Sequence, residues 1–148
     1  MFAGTAFAQG QGCSAEEEQR NMEVVAQFPS ADVVSESYIQ HNPAFKKYAD
    51  ERGLSYREGF LQRMTELMAG GGGGPAADAD MPAPPENNPY ELVIAEGDLV
   101  TVIQKRYAQD PNEAPGTYYE TFWFDTFRVR DGLLYEHWDG ATIQPAQN

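Results

Sequence analysis

A chain of 148 residues is long enough for one domain that encloses a core and a pocket. The 10 Lys and Arg residues stand against 23 Asp and Glu, for a formal net charge of −13. This balance argues against nucleic acid and anionic membrane surfaces as partners, because both bind through phosphate-neutralising cations. No stretch of the sequence approaches the roughly 20 apolar residues that a membrane-spanning helix needs.

Residues 1–13 contain a short apolar stretch that is similar to part of a secretory signal. Ala6, Phe7 and Ala8 match the Ala-x-Ala cleavage pattern, without the basic start and longer apolar stretch of a complete signal. Two interpretations stay open. A signal-peptide remnant would place the protein outside the cell or in the periplasm, whereas a disordered tail would leave it in the cytoplasm. Cys13 is the only cysteine, so an internal disulfide framework is excluded.

The first half of the chain predicts three helices. One begins at Ser14, where a capping serine precedes three glutamates, and runs to about Phe28. A second, short helix begins at Ala31. The third spans Ser55 to Met68, with apolar residues at helical spacing.

Residues 70–89 form a low-complexity segment with five consecutive glycines and five prolines. Such a segment cannot hold a core, so we expect a mobile loop within a single domain of residues 14–148, with a lid over a pocket mouth as the functional alternative. Four strands follow, at Tyr90–Ala95, Leu99–Tyr107, Thr117–Arg130 and Leu133–Ile143. Helices followed by antiparallel strands indicate an α+β fold.

The last two predicted strands fold around Asp131-Gly132, a strong hairpin signal. The length of the loop decides which residues of the two strands face each other. A two-residue loop would put Asp125 opposite Trp138. A three-residue loop, with Gly132 in the left-handed bulge position, would put Asp125 opposite His137 with β-carbons about 5 Å apart.

The three-residue loop is favoured because it divides the hairpin cleanly into two faces. Asp125, His137 and Asp139 would share one face, with the arginines on the other. Leu134 and Trp138 would then fall on the outer face, an exposed apolar pair of the kind that dimer interfaces use. We therefore expect a homodimer formed through the outer face of the sheet.

Four segments in order resemble the SnoaL-like polyketide cyclases of the nuclear-transport-factor-like cone-fold superfamily. They are Tyr38–Pro43, Glu96–Val100, Phe124–Arg128 and Asp131–Asp139, and they are distributed over most of the chain from Ala31 to Ile143. The resemblance implies a curved antiparallel sheet wrapped around N-terminal helices, which forms a cone-shaped apolar pocket. Ile103 is a departure, since many relatives carry histidine there.

The resemblance also implies a chemistry. Family cyclases close a ring by intramolecular aldol reaction without metal or cofactor, using an acidic residue as acid and base. Asp139 is the closest match to that residue, and His137 would line the same cavity. His41 and Asn42 match the family's His-Asn segment near the pocket. The expected activity is therefore that of a cyclase or isomerase, in the lyase or isomerase class, acting on a small hydrophobic carbonyl compound.

The residue types fit this chemistry. A carboxylate beside aromatic side chains is partly desolvated and can act as a base, while an imidazole can hold the resulting oxyanion. We assign catalysis to Asp139, His137 and Asp125, where Asp125 fixes the imidazole tautomer. The expected substrate-binding residues are His41, Asn42, Tyr38, Trp138 and Tyr119.

Three other interpretations stay open. His137 and Asp139 can be a structural pair that satisfies itself at a strand end. The pocket can hold a hydrophobic ligand without chemistry, in a secreted binding module. The third is a metal site formed by His41, His137 and Asp139, but because their spacing matches no recognised ligand motif, we expect no metal or cofactor.

Overall fold

The computed structural model describes residues 14–69 and 90–140. The tail expected at 1–13, the loop or lid expected at 70–89 and the end of the last predicted strand lie outside the described residues. Within those ranges, three helices and a five-stranded sheet confirm the predicted α+β class. None of these helices is long and apolar enough to cross a membrane.

Two helices are those predicted from the sequence. In α1 (Ala15–Val25), Ser14 forms a capping box with Glu17: its hydroxyl accepts the Glu17 N–H, and its own N–H donates to the Glu17 carboxylate at 2.7 Å. The third helix, α3 (Tyr56–Ala69), follows Ser55 as expected.

The helix between them, α2 (Pro43–Arg52), is absent from the sequence prediction. The Asn42 side chain caps it by accepting the Ala44 N–H at 2.8 Å. Proline is favourable at the first helical position because the N–H that it lacks would have no partner in the helix. Gly53, in the left-handed region with a φ of 64°, ends the helix. Pro43 therefore begins a helix here rather than breaking one.

The short helix expected from Ala31 is wrong. A single 3₁₀ turn at Ala31–Val33 leads directly into a strand, β1 (Val34–Gln40). Tyr38 and Gln40 are both buried, with a more exposed residue between them, which is the two-residue period of a strand. Tyr38 and Gln40 consequently point to the same side of the sheet.

The strands of the second half follow the prediction closely. They are β2 (Leu92–Glu96), β3 (Leu99–Gln109), β4 (Tyr118–Arg130) and β5 (Leu133–Asp139). The sheet order is β1-β5-β4-β3-β2, antiparallel from β2 to β5. The unpredicted β1 joins beside β5 in parallel.

The core lies between the helices and the inner face of the sheet. Ten buried apolar side chains form it: Val25, Val33, Val34, Tyr38, Phe60, Val100, Val102, Phe127, Val129 and Leu134. They come from α1, the 3₁₀ turn, α3 and four of the strands, so their burial joins the two halves of the chain in one unit.

The favoured hairpin register is wrong. Arg130 pairs with Leu133 across a two-residue turn, in which both Asp131 and Gly132 have positive φ values of 51° and 74°. This is the geometry of a type I′ turn, whose twist matches that of the flanking strands.

A β-bulge then shifts the register further along the hairpin. Val129 pairs with Leu134 but Arg128 pairs with Glu136, so Tyr135 is the extra residue. The bulge returns the two strands to a pairing in which the acidic and imidazole side chains still share a face.

The two-residue turn overturns the expected position of Leu134, which pairs with buried Val129 and lies in the core with no exposed surface rather than on the outer face. Because one residue is inserted at Tyr135, Leu134 and His137 both face inward although they are three positions apart. Trp138 lies outside the core cluster.

Candidate active site

A cavity of about 780 Å³ opens between the helices and the inner face of the sheet. Aromatic and apolar side chains form most of its inner wall: Phe28, Phe45, Phe60, Met64, Leu67 and Trp123. Asp125, His137 and Asp139 line the same cavity, and their side chains are only 7%, 4% and 5% exposed. This volume is in the range of pockets that enclose a small organic ligand.

Strand pairing brings the three polar side chains together. Asp125 pairs with Asp139 and Phe127 pairs with His137, on the face of the sheet that looks into the cavity. The imidazole Nε2 lies 3.1 Å from Asp125 Oδ1 and 4.0 Å from Asp139 Oδ2. His137 is thus placed between two carboxylates at the buried end of the cavity.

The other imidazole nitrogen faces two donors from β1. His137 Nδ1 lies 3.1 Å from the Tyr38 hydroxyl and 3.3 Å from Gln40 Nε2. The Gln40 amide has a fixed orientation, since its Oε1 accepts the Asn42 N–H at 2.9 Å and its Nε2 donates to the Tyr38 oxygen at 3.1 Å.

This network sets the imidazole tautomer. With Gln40 donating to the Tyr38 oxygen, the phenolic O–H donates to His137 Nδ1, and the remaining imidazole proton lies on Nε2, directed at Asp125. Burial raises the pKa of Tyr38 well above its usual value, and the charges of Asp139 and Asp125 raise it further. Tyr38 therefore stays protonated and keeps donating.

Asp125 accepts from two further donors. Trp123 Nε1 donates to its Oδ1 at 3.0 Å, and Gln104 Nε2 donates to its Oδ2 at 3.4 Å. With His137, three donors face this carboxylate. A carboxylate held in this way orients the imidazole rather than collecting protons from a ligand.

Aromatic rings hold the imidazole in place. Phe127 stacks on His137 with ring centroids 4.4 Å apart and planes 7° from parallel. Phe28 and Phe60 approach its edges at 5.6 Å and 6.2 Å. The surroundings are consequently apolar, and electrostatic interactions there are stronger than in water.

The remaining side chains expected at the site are spread over different places. Asn42 is buried, caps α2 and lines the cavity. Tyr38 lies behind the imidazole and is not among the lining residues. His41 and Trp138 stack on each other at 4.6 Å, away from the cavity, and Tyr119 is 46% exposed and also outside it.

Sequence reasoning missed Gln40, Gln104 and Trp123. Gln40 would have been found if β1 had been recognised as a strand, because it shares a face with Tyr38 two positions earlier. Trp123 stands in the same relation to Asp125 in β4. Gln104 carries no local signal, since only the pairing of β3 with β4 places it beside Asp125.

One group within residues 14–69 and 90–140 can hold a divalent cation. The ligand atoms of Asp125, His137 and Asp139 all lie within 4.8 Å of one another. His41, the other histidine considered as a metal ligand from the sequence, is not part of this group. Its Nε2 instead lies 3.3 Å from Glu136 Oε2. Metal binding would require His137 Nε2 to lose its proton and its hydrogen bond with Asp125.

Comparison with known proteins finds only distant similarities to solved structures. No protein-family model matches the sequence, and no curated protein matches it. The structure of TsrD from Streptomyces laurentii is 17% identical with a TM-score of 0.47, over 86% of this chain and 90% of TsrD. The crystal structure of TerC, co-crystallized with polyporic acid, is 19% identical with a TM-score of 0.45, over 81% of this chain and 89% of TerC. Similarity this distant does not extend to function.

Proposed function

We propose that this protein is a cofactor-independent enzyme that transfers a proton beside the carbonyl group of an apolar compound. The reaction class is aldol-type cyclisation or isomerisation, which the resemblance to SnoaL-like polyketide cyclases also implies. One observation carries the proposal: His137 lies between two carboxylates, 3.1 Å from one and 4.0 Å from the other, at the buried end of an aromatic cavity.

Asp139 is the proposed base. Its side chain lines the cavity and is 5% exposed, so a bound ligand would exclude water from it. Asp125 is assigned the orienting role, since His137, Trp123 and Gln104 donate to its oxygens. Removal of a proton from the α-carbon by Asp139 would leave the electron pair in an enolate.

His137 is the proposed oxyanion donor. Its Nε2–H can be shared between Asp125 and the enolate oxygen without rotation of the imidazole, while Tyr38 keeps Nδ1 as an acceptor. In a cyclisation, the enolate carbon attacks a second carbonyl of the same molecule. The new alkoxide then takes up the proton from Asp139, so that the enzyme returns to its starting state.

The proposal is tested by proton exchange, which needs no knowledge of the natural substrate. A panel of apolar ketones, including 2-tetralone, is incubated with the protein in D₂O, and loss of the α-proton signal is followed by NMR. We expect exchange well above the buffer rate for the ketones that bind, since a positioned base contributes about 10²- to 10⁴-fold. Ketones that bind and exchange no faster than in buffer would overturn the proposal.

A binding module for a small hydrophobic ligand is the alternative function, because the same cavity can hold a ligand without chemistry. Binding without exchange is the result that this alternative predicts. Secretion of such a module would require the signal-like start of the chain to act as a signal, which stays a prediction.

The same assay tests whether a metal takes part. Because both nitrogens of His137 have hydrogen-bonding neighbours, we expect chelator to leave the exchange rate unchanged and added Zn²⁺ to lower it by occupying Asp125, His137 and Asp139. Stimulation by Zn²⁺ or loss of activity with chelator would replace the metal-free mechanism by a metal-assisted one.

A further inference from the structure

The cavity carries an uneven distribution of charge. Four of the chain's 10 Lys and Arg residues line it, although the chain as a whole has a net charge of −13. They are Lys47, Arg52, Arg63 and Arg106, contributed by α2, α3 and β3. Lys47 and Arg63 are 51% and 41% exposed, whereas the carboxylates of the catalytic group are almost fully buried. Glu51 also lines the cavity and pairs with Lys47, and Arg63 pairs with Glu66, so Arg52 and Arg106 are the cations that leave the outer part of the cavity basic, while its buried end is acidic.

Two of these cations are positioned around one aromatic ring. The guanidinium carbon of Arg52 lies 3.7 Å from the centroid of the Tyr48 ring, and that of Arg63 lies 5.6 Å away. Tyr48 donates to Glu66 at 2.6 Å, and Arg63 forms an ion pair with the same carboxylate at 3.3 Å. Stacking on Tyr48 fixes the Arg52 guanidinium without neutralising it, whereas the charge of Arg63 is paired with that of Glu66.

Arg106 is held on the sheet side of the cavity. Its guanidinium lies 5.1 Å from the centroid of the Trp123 ring and donates to Gln104 at 3.2 Å. Gln104 in turn donates to Asp125, so a short chain of contacts connects Arg106 with the catalytic group. Within the part of the chain that the structure describes, neither Arg106 nor Arg52 has a carboxylate within 4.0 Å.

We infer that the ligand of this cavity is an organic anion: a ring system with a carboxylate or a deprotonated hydroxyl at one end. The anionic group binds the cations of the cavity, chiefly Arg52 and Arg106, and the rings lie against Phe28, Phe45 and Phe60. Asp125 and Asp139 repel the anionic group from the buried end, so the carbonyl that reacts is the part that reaches them. The inference names the substrate class of the proposed enzyme and rests on the same cavity.

Two fluorescent probes with nearly the same rings separate charge from apolar contact. 8-Anilinonaphthalene-1-sulfonate carries an anionic group, and N-phenyl-1-naphthylamine is its neutral counterpart. At low ionic strength we expect the anionic probe to bind about tenfold more tightly, and this preference to fade as salt rises from about 0.01 M to about 1 M. Equal affinities at low salt would overturn the inference.

Charge-neutralising variants locate the preference. The double variant Arg52→Gln/Arg106→Gln should weaken binding of the anionic probe about tenfold and leave the neutral probe unchanged. The matched control Arg20→Gln/Arg130→Gln removes the same net charge at positions away from the cavity. It should leave the affinities of both probes unchanged. A control that weakens anionic binding as much as the cavity variant would show that only the overall charge matters, and the inference would fail.

The test also separates this inference from the proposed function. If the wild type shows no preference for the anionic probe but still exchanges the α-protons of the ketone, the substrate class is rejected and the proposed enzymatic activity stands. Anion preference without exchange would keep the ligand class and point to a binding module. A variant of the outer sheet face, Phe124→Ser, should bind both probes like the wild type, and weaker binding by that variant would place the probes outside the cavity.

Discussion

At the scale of single residues, the arrangement depends on a phenol that never reaches the ligand. Tyr38 is 4% exposed, accepts from Gln40 and donates to His137, so it acts on the reaction only through the imidazole. Replacing it by Phe removes one of the two donors that face Nδ1. Proton exchange should fall about tenfold, while a folded protein remains, because a net hydrogen bond contributes only about 1 kcal/mol.

The raised pKa of Tyr38 makes a separate prediction about alkaline stability. Burial keeps the folded phenol neutral while the unfolded phenol ionises near its ordinary pKa of 10.0. The stabilisation is therefore fully present below pH 10.0 and is lost as the pH rises towards the folded pKa.

The measurement compares two proteins. Urea unfolding gives the free energy of unfolding of the wild type and of Tyr38→Phe. The difference between the two should shrink or reverse above pH 10.0, because the variant has no phenol to ionise. A difference that stays constant between neutral and strongly alkaline pH would contradict the role given to burial.

At the scale of elements, α2 and α3 are held close together at one glycine. A β-carbon added at Gly59 would lie 2.5 Å from the Ala49 Cβ, far inside van der Waals contact. Gly59→Ala should therefore destabilise the protein by about 1–3 kcal/mol through overpacking, despite the higher helix propensity of alanine. Urea unfolding measures the change.

A double-mutant cycle supplies the control. If contact with Ala49 is the cause, Gly59→Ala should cost clearly less in an Ala49→Gly background. Additive costs of the two substitutions would show that the two helices do not conflict there.

The elements also show what a sequence can and cannot predict. Caps and periodicity were enough for α1 and α3, and turn residues with alternating runs were enough for β2 to β5. α2 was missed because proline can stand at the start of a helix as well as after its end, and only the Asn42 cap decides which. β1 was misjudged because its apolar spacing also fits one helical turn.

The site shows the same division. The sequence grouped Asp125 with His137 and Asp139 on one face through a three-residue loop that the structure does not have, and the observed two-residue turn brings them to one face only because a bulge follows it. The bulge at Tyr135 was not predictable, since an extra residue in a strand leaves no trace until the pairing is known. Gln104 joins the site through strand pairing alone, and the packing of α2 and α3 around the cavity depends on tertiary contacts.

At the scale of the whole molecule, the outer face of the sheet carries an apolar surface. Leu92, Ile94, Phe122 and Phe124 are 49%, 50%, 43% and 56% exposed. Leu92 pairs with Ile103, which pairs with Phe124, so these three side chains form a row across three strands, with Ile94 and Phe122 on the same face beside it. We propose that two copies associate through this face. The row supplies the apolar contact that was expected from Leu134, which is buried in the core instead.

Association is checked by sedimentation. The wild type should sediment as a dimer that salt strengthens, because each copy carries a net charge of −13. Phe124→Ser should sediment as a monomer, and Tyr119→Ser, equally exposed but outside the row, should remain a dimer. A monomeric wild type, or a dimer unaffected by Phe124→Ser, would contradict the proposed interface.

The central claim is that Asp139 moves a proton inside the cavity, and Asp139→Asn tests it most directly. The amide keeps the size of the side chain and cannot take up a proton at neutral pH. Exchange of the α-proton of a bound ketone should therefore fall at least about 100-fold. Binding of the neutral probe should stay within about twofold, and the exposed control Asp50→Asn should exchange like the wild type. An Asp139→Asn protein that binds and exchanges as fast as the wild type would contradict the account.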